Sequence, residues 1–417
     1  MKGILVDMDS SYPRGDNLKL RVKDVFIAGA LPIHTYIFRK SEFGLTYEFR
    51  LQNVIDMVGF LTSIVGPSKT GKTVLCDKVI GQNHYVDFIG NDFKDTEDFW
   101  VTIANRVGIS LERDHTEIRK IEGQGLAGTK EEITTSITES FHSNKDKVIQ
   151  YFINNDLVLL LDDFHYASSE KQLEIAYQLK DAIRKGFRTI IISLPHRSDD
   201  AIRKNTDLGG RLNLINIEPW NKDELREIAV AGFGKLDMEI DLTIADNIAQ
   251  ESLSSPQLMQ SICYNLGMLL NIDNTATPVM PDQGLLVKAY RMTSLNLLAY
   301  QEVARKLKTG PNPRGQKRKT YMTIKKEEVD IYELLLKAIA EDPPTVSLST
   351  DSIKRRIDVL LGDAADKPDR VKIKTAIDQV QSIIQSSEPV YQVFEYKDDE
   401  VYILEPLFLF YLRWGIL

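Results

Sequence analysis

Cysteine is nearly absent. The 417-residue chain has two, Cys76 and Cys263, on predicted helices far apart in sequence. Neither a disulfide framework nor a cysteine-based zinc site is available, and both are expected as buried thiols. Long hydrophobic runs are missing as well: no stretch of 18 apolar residues occurs. The N-terminal Met1-Lys-Gly-Ile-Leu-Val-Asp7 meets an acid too early for a signal-peptide core, so a cytoplasmic protein with no membrane partner is expected. Nor is there an excess of basic charge. Fifty-two lysines and arginines against 60 aspartates and glutamates leave a net −8, which argues against wholesale coating of nucleic acid but leaves room for a local basic patch. What remains is the composition of a soluble globular protein, long enough for about two to three domains.

The chain is organised around residues 57–79, where an apolar run ending at Val65 enters the loop Gly66-Pro-Ser-Lys-Thr-Gly-Lys-Thr73 and leaves as a helix. The spacing of Gly66, Gly71, Lys72 and Thr73 is what phosphate binding requires. Its glycines let the backbone curl so that successive N–H groups face an anion, and the following helix N-terminus adds partial positive charge. Gly66, Pro67, Ser68, Lys69, Thr70, Gly71, Lys72, Thr73 and Val74 are the expected nucleotide contacts, with Lys72 reaching the β- and γ-phosphates and the Thr73 hydroxyl on Mg²⁺. The ligand pair is thus ATP and Mg²⁺.

A second apolar run, Leu157-Val-Leu-Leu-Leu-Asp-Asp-Phe-His165, ends in two carboxylates. In a buried parallel strand charges emerge only at the carboxyl end, beside the phosphate loop, where open α/β sheets bind ligands. Asp162 is the expected metal ligand, and Asp163 the group that orients or deprotonates the attacking water. His165 reads as a packed or partly exposed histidine. A third buried strand over Phe187–Pro195 places Ser193 at its tip as a candidate γ-phosphate sensor. Arg211 opens the last strand behind Gly209 and Gly210, where an arginine can serve a neighbouring subunit's γ-phosphate; Arg203 is the runner-up.

Alternation of these strands with helical patterns predicts an α/β fold with a parallel sheet. Residues 1–24 read as a loose arm and 25–220 as the ATPase core, whose lead-in offers Tyr36 and Arg39 as candidates to stack on the base, although no spacing fixes them. A helix beginning at Asp92 and an exposed insertion over 109–130 follow within this core. Residues 221–304 are helical throughout, a lid in which Pro256 occupies a helix's first turn. A basic, breaker-rich linker spans 305–328 and carries Lys317, Arg318 and Lys319 without a compensating acid. The last unit, 329–417, offers three helical patterns and a hairpin, the composition of a winged helix, with Arg370, Lys372 and Lys374 at the start of its third helix.

The order of parts, Gly66–Thr73, Leu159-Leu-Leu-Asp-Asp163, Ser193, Arg211, a lid with Ser255-Pro256 and a terminal winged helix, resembles the AAA+-like P-loop ATPases of the STAND and origin-initiator groups. The paired Asp162-Asp163 and the lid Ser-Pro look more like STAND proteins, in which the lid proline approaches the nucleotide, so the resemblance adds Pro256 to the nucleotide contacts. It also implies slow, regulatory ATP hydrolysis, a homo-oligomer with an arginine finger in trans, an effector protein as partner, and a place in a prokaryotic multi-protein system such as antiviral defence. Two features depart from it: segment 251–267 has no arginine for a second sensor, and no long repeat array is attached. The alternative is a loader or transposition regulator assembling on duplex DNA; a third reading is a scaffold that binds nucleotide without turnover.

Overall fold

The computed structural model describes residues 19–41, 44–93, 98–110, 144–164, 167–194, 210–274, 280–312, 318–364, 366–387 and 393–415. The expectations for residues 1–18, for the insertion from residue 111 on, and for His165, Arg203, Gly209 and Lys317 lie outside the described residues.

Short apolar runs build the centre of the fold. Strands β1 (Leu61–Val65), β2 (Tyr85–Ile89), β3 (Val158–Asp162), β4 (Arg188–Ser193) and β5 (Leu212–Asn216) pair in parallel in the order β2-β3-β4-β1-β5. Around them lie helices α2 (Tyr47–Ile55), α3 (Lys72–Val79), α4 (Phe99–Val107), α5 (144–154) and α6 (Ser169–Arg184), whereas α1 (Val22–Val25) packs instead against helices that follow the sheet. Successive side chains of a strand face opposite ways, so each strand serves two cores. Leu159 and Leu161 of β3 pack with Trp100, Phe152 and Leu179 on one side, while Val158 and Leu160 pack with Leu51 and Leu75 on the other. A parallel sheet covered on both faces can expose charge only at its strand ends, which is where Asp162 emerges.

One helix begins later than its pattern suggests. α4 starts at Phe99 rather than near Asp92, because the Asp98 carboxylate accepts from the N–H groups of Trp100 (2.7 Å) and Val101 (3.0 Å), while Gly90–Phe93 winds into a 3₁₀ turn. Gly90 has a packing reason to be glycine. A Cβ there would lie 2.7 Å from the carbonyl oxygen of Asp163 and 2.9 Å from the amide of Ala167. Gly90→Ala is therefore expected to push the turn after β3 outward and to cost about 2 kcal/mol in a urea titration; an unchanged midpoint would show that the turn yields freely.

Beyond the sheet the chain is mostly helical: α7 (Lys222–Lys235), α8 (Leu242–Glu251), α9 (Pro256–Leu269), α10 (Gln283–Leu295) and α11 (Gln301–Thr309). The segment expected as a linker is built in part. It holds the last turns of α11 and a short hairpin, β6 (Thr320–Met322) with β7 (Glu328–Asp330). Two of its basic side chains do have acids: Arg318 pairs with Asp330 at 2.8 Å and Lys319 pairs with Asp366. Asp366 lies far off in sequence, so the compensation was invisible locally.

The last third contains α12 (Ile331–Ala340), β8 (Ser347–Ser349), α13 (Thr350–Leu361), α14 (Arg370–Ser386), β9 (Phe394–Lys397), β10 (Glu400–Ile403) and α15 (Pro406–Trp414). The three predicted helices and the hairpin are present. β8 adds a third strand to that hairpin, in the order β8-β10-β9, all antiparallel. A single buried cluster runs from Val22 and Val25 through Phe233 and Ile262 to Leu334, Ile377 and Phe410, so this unit shares its core with the helices before it. The junction also carries an ion pair. Arg413 grips Glu251 with Nε at 3.0 Å and a terminal nitrogen at 2.6 Å, and the Trp414 indole N–H donates to the same carboxylate at 2.7 Å.

Both cysteines are buried. Among the described residues no helix is long and apolar enough to cross a membrane.

Candidate functional site

At the carboxyl end of β1 the chain must turn sharply, and three features let it. Gly66 lies so close to Ile217 that a Cβ would meet that residue's carbonyl at 2.7 Å, Lys69 has φ of 61°, and Gly71 has φ of 89°. Left-handed backbone suits glycine, and at Lys69 it is unusual enough to suggest a constrained loop. The loop is pinned from within and without. Thr70 Oγ1 donates to the Pro67 carbonyl (2.9 Å), and the Trp220 indole N–H donates to the Thr70 carbonyl (2.9 Å).

Lys72 opens α3 with its side chain buried, the ammonium donating to the carbonyls of Gly66 (2.9 Å) and Pro67 (2.7 Å). Burial lowers its pKa to about 8, against the opposing pull of the Asp162 and Asp163 carboxylates. The Thr73 hydroxyl donates to Asp162 Oδ2 at 2.6 Å, which brings the two expected metal ligands together. Both are hard oxygen donors of the kind that hold Mg²⁺ through one or two protein groups while phosphates and waters complete the shell. Asp162 has a raised pKa, from burial and the neighbouring Asp163 charge, opposed by the Thr73 hydrogen bond. Asp163 sits one residue past β3 with φ of 47°, its N–H donating to Asp162 Oδ1 at 2.8 Å.

A cavity of about 320 Å³ runs from these groups toward the lead-in segment, within the range of small-molecule sites. Ser68 to Leu75, Asp162 and Asp163 line it, together with Tyr36, Arg39 and Pro256. Arg39 is not free to stack on a base. It is 7% exposed and its guanidinium donates to the carbonyls of Glu218 (2.9 Å) and Pro219 (3.0 Å), lies 3.1 Å from Glu224 and stacks on the Trp220 ring. It braces the cavity wall. Tyr36 donates its hydroxyl to Glu48, and burial together with that bond raises the phenol's pKa, so it stays protonated; the Lys78 ammonium lies over its ring.

Ser193 and Arg211 are placed differently. Ser193 ends β4 beside Val65, with its side chain buried and its carbonyl accepting from the Gly66 N–H at 3.3 Å, whereas the next residue, Leu194, lines the cavity. Arg211 lies at the other end of the sheet. Its carbonyl accepts from Leu61 N–H at the start of β1 and its guanidinium donates to the Gly59 carbonyl at 3.3 Å, about 13 Å of strand away from the loop that follows Val65. Pro256 is the first residue of α9, capped by Ser255, whose hydroxyl accepts from Leu258 N–H at 3.2 Å.

Sequence reasoning missed Ile27, Ala28, Glu48, Trp220 and Gln260, all of which line the cavity. Only Gln260 had an available signal, standing four residues after Pro256 and therefore on the same face of α9.

A second, smaller cleft separates the loop from the last third of the chain, with Pro67, Ser68 and Thr70 on one side and Ser347, Glu395 and Tyr402 on the other. Glu405, at the N-terminus of α15, has its carboxyl pKa raised by burial and pulled back by the Lys69 ammonium. The C-terminal sheet thus abuts the phosphate loop.

Residues 59–199 match the AAA domain. That match spans β1 to the end of β4, with Gly66–Thr73 and Asp162-Asp163 inside it, and its fold is a P-loop NTPase sheet covered on both faces. No curated protein matches the chain. Among solved structures, the Walker-type ATPase PABY2304 of Pyrococcus abyssi is similar at 13% identity and a TM-score of 0.47 over 90% of this chain and 96% of that one. The RuvB Holliday junction branch migration motor of Thermotoga maritima is similar at 12% identity and a TM-score of 0.37, covering 88% and 95%. The Aeropyrum pernix ORC1 protein in complex with DNA is similar at 10% identity and a TM-score of 0.38, covering 88% and 90%.

Proposed function

We propose that this chain is an ATP-driven assembly switch built on its AAA domain. The observation that carries this reading is the meeting of Lys72, Thr73, Asp162 and Asp163 at one end of a single cavity, with the Thr73 hydroxyl 2.6 Å from Asp162. Backbone N–H groups of 68–73 and the Lys72 ammonium bind the phosphates, at the cost of the ammonium's bonds to Gly66 and Pro67. Thr73 and Asp162 would hold Mg²⁺, which when bound neutralises charge developing on the phosphates. Asp163, free of the metal pair and held just beyond it, accepts a hydrogen bond from the attacking water and orients it. Ser193, on the strand beside the loop, senses the γ-phosphate through the same end of the sheet.

Arg211 cannot serve its own cavity from the far end of β1 and β5, which favours the reading that it completes the site of a second copy. A ligand throws a switch only by binding one state better than another, and a γ-phosphate contacted from two subunits supplies that difference. With Pro256 at the cavity and the C-terminal unit read as a winged helix, the STAND-like reading follows, with an effector protein as downstream partner and a cytoplasmic setting such as a defence system.

The loader reading has less support. Arg370 pairs with Asp351 at 2.8 Å and with Asp399, and Lys319 pairs with Asp366; a phosphate backbone would have to displace these acids.

Asp163→Asn should bind ATP as tightly as wild type and lose at least about a hundredfold in turnover; unchanged turnover would remove Asp163 from its role. The mass of the particle with ADP, with a non-hydrolysable ATP analogue, and with the analogue plus duplex DNA tests assembly. A defined oligomer with the analogue alone supports the switch, assembly only with DNA supports the loader, and a constant mass refutes assembly by this chain alone.

A further inference from the structure

The cavity wall contains a buried hydrogen-bond acceptor that the protein leaves bare. Gln260, on helix α9, is 3% exposed and lines the cavity, and its Oε1 has no partner among the described residues. Its other atom fixes which way the amide faces. Gln260 Nε2 donates to Thr35 Oγ1 at 2.7 Å, and Thr35 spends its one hydroxyl proton on the Val25 carbonyl at 3.3 Å. A hydroxyl already donating can only accept from Gln260, so the nitrogen faces Thr35 and the oxygen is left over. Thr35 itself cannot shift: it is 1% exposed and sits against Gly232, where a Cβ would come within 2.9 Å of its methyl.

This acceptor lies at the apolar end of the cavity. Gly232 follows Ile228 by four residues on α7, and Ile228, Ile27, Ala28 and Pro32 line the cavity with Gln260. With phosphates anchored at Lys72 and Thr73, the apolar end is where a purine ring is buried. A buried acceptor without a donor is costly, so a ligand that brings a donor is favoured over one that brings another acceptor.

We infer that Gln260, held by Thr35, selects a 6-amino purine over a 6-oxo purine, its Oε1 accepting a hydrogen bond from the adenine amino group. The inference rests on the ATP-binding reading above and goes beyond it by naming the residue that chooses the base. A 6-oxo purine sets oxygen against oxygen, and turning the amide over to relieve this requires Thr35 to abandon Val25.

The test compares ATP with inosine triphosphate, which differs at the 6-position without the 2-amino group of guanine, by titration calorimetry on the full chain. Wild type should bind ATP at least about tenfold more tightly. Gln260→Met should bring the two nucleotides to similar affinity, by weakening ATP and, with the opposing oxygen gone, strengthening inosine triphosphate. Thr35→Val, which keeps the shape but frees the amide to turn, should narrow the preference while retaining ATP binding. Equal affinity of wild type for both nucleotides, or a Gln260→Met variant that weakens both alike, overturns the inference and leaves nucleotide binding standing. A wild type that binds neither overturns both.

Discussion

Lys72→Met is expected to remove measurable ATP binding and, at neutral pH, to make the folded protein more stable. The two effects have one cause. A lysine ammonium buried against loop carbonyls is in place to meet phosphates, and without them it is a charge held out of water. The depressed pKa of about 8 means that keeping this charge costs the fold about 3 kcal/mol at pH 7. Losing the bonds to Gly66 and Pro67 returns part of that, so a net gain of about 1–2 kcal/mol is expected for the methionine variant, while ATP affinity falls by at least about a hundredfold.

The sign of the pH dependence is set by the direction of that shift. The folded-state pKa of Lys72 lies below the ordinary 10.5 of the unfolded chain, so between about 8 and 10.5 the unfolded chain binds more protons. Lys72 therefore burdens the fold fully below pH 8 and progressively less as pH rises to 10.5. The stability advantage of Lys72→Met in urea should shrink across that window and reverse toward its upper end. ATP affinity of wild type should also decline above pH 8 as the free ammonium loses its proton. A variant that binds ATP normally, or one whose stability difference from wild type ignores pH, would remove Lys72 from this account.

The second large effect is expected far from the phosphates. Arg413→Ala should destabilise the protein by about 3–5 kcal/mol, because it leaves the Glu251 carboxylate buried without its cation. The two side chains are only 7% and 12% exposed, so solvent screens them little. Arg413 also donates to the Ala340 carbonyl and lies 2.6 Å from Asp342, so one guanidinium ties α8, the end of α12 and α15 together. Neutralising both ends with Glu251→Gln and Arg413→Met should recover much of the loss, since no charge is then stranded. A urea midpoint moved by less than about 1 kcal/mol equivalent in Arg413→Ala would show the pair to be as weak as a surface one.

Legibility in the sequence tracks the range of the interactions. The phosphate loop, the acidic end of β3 and the parallel strands were readable because each rests on neighbouring residues: glycines at fixed spacing, or apolar runs that only a doubly covered sheet accepts. Strands β6, β7 and β8 are three residues each, too short for alternation to register, and β8 exists only through pairing with β10, some fifty residues on. The linker looked uncompensated because Asp366 is 47 residues from Lys319. Arg39 was recognised as belonging to the cavity but not as a brace, since Glu218, Pro219 and Glu224 reach it from 179 residues or more away. Gln260 depends on Thr35, 225 residues earlier, and no local pattern marks such a pair.

The buried cluster that runs unbroken from α1 to α15 has a mechanical consequence. A lid with its own core would flap independently of the C-terminal third; here the lid helices and that third are welded, with the Glu251–Arg413 pair as a rivet. If Pro256 and Gln260 close onto a nucleotide as proposed, the same rotation swings the sheet β8-β10-β9 as the other arm of one lever, across the loop Gly66–Thr73.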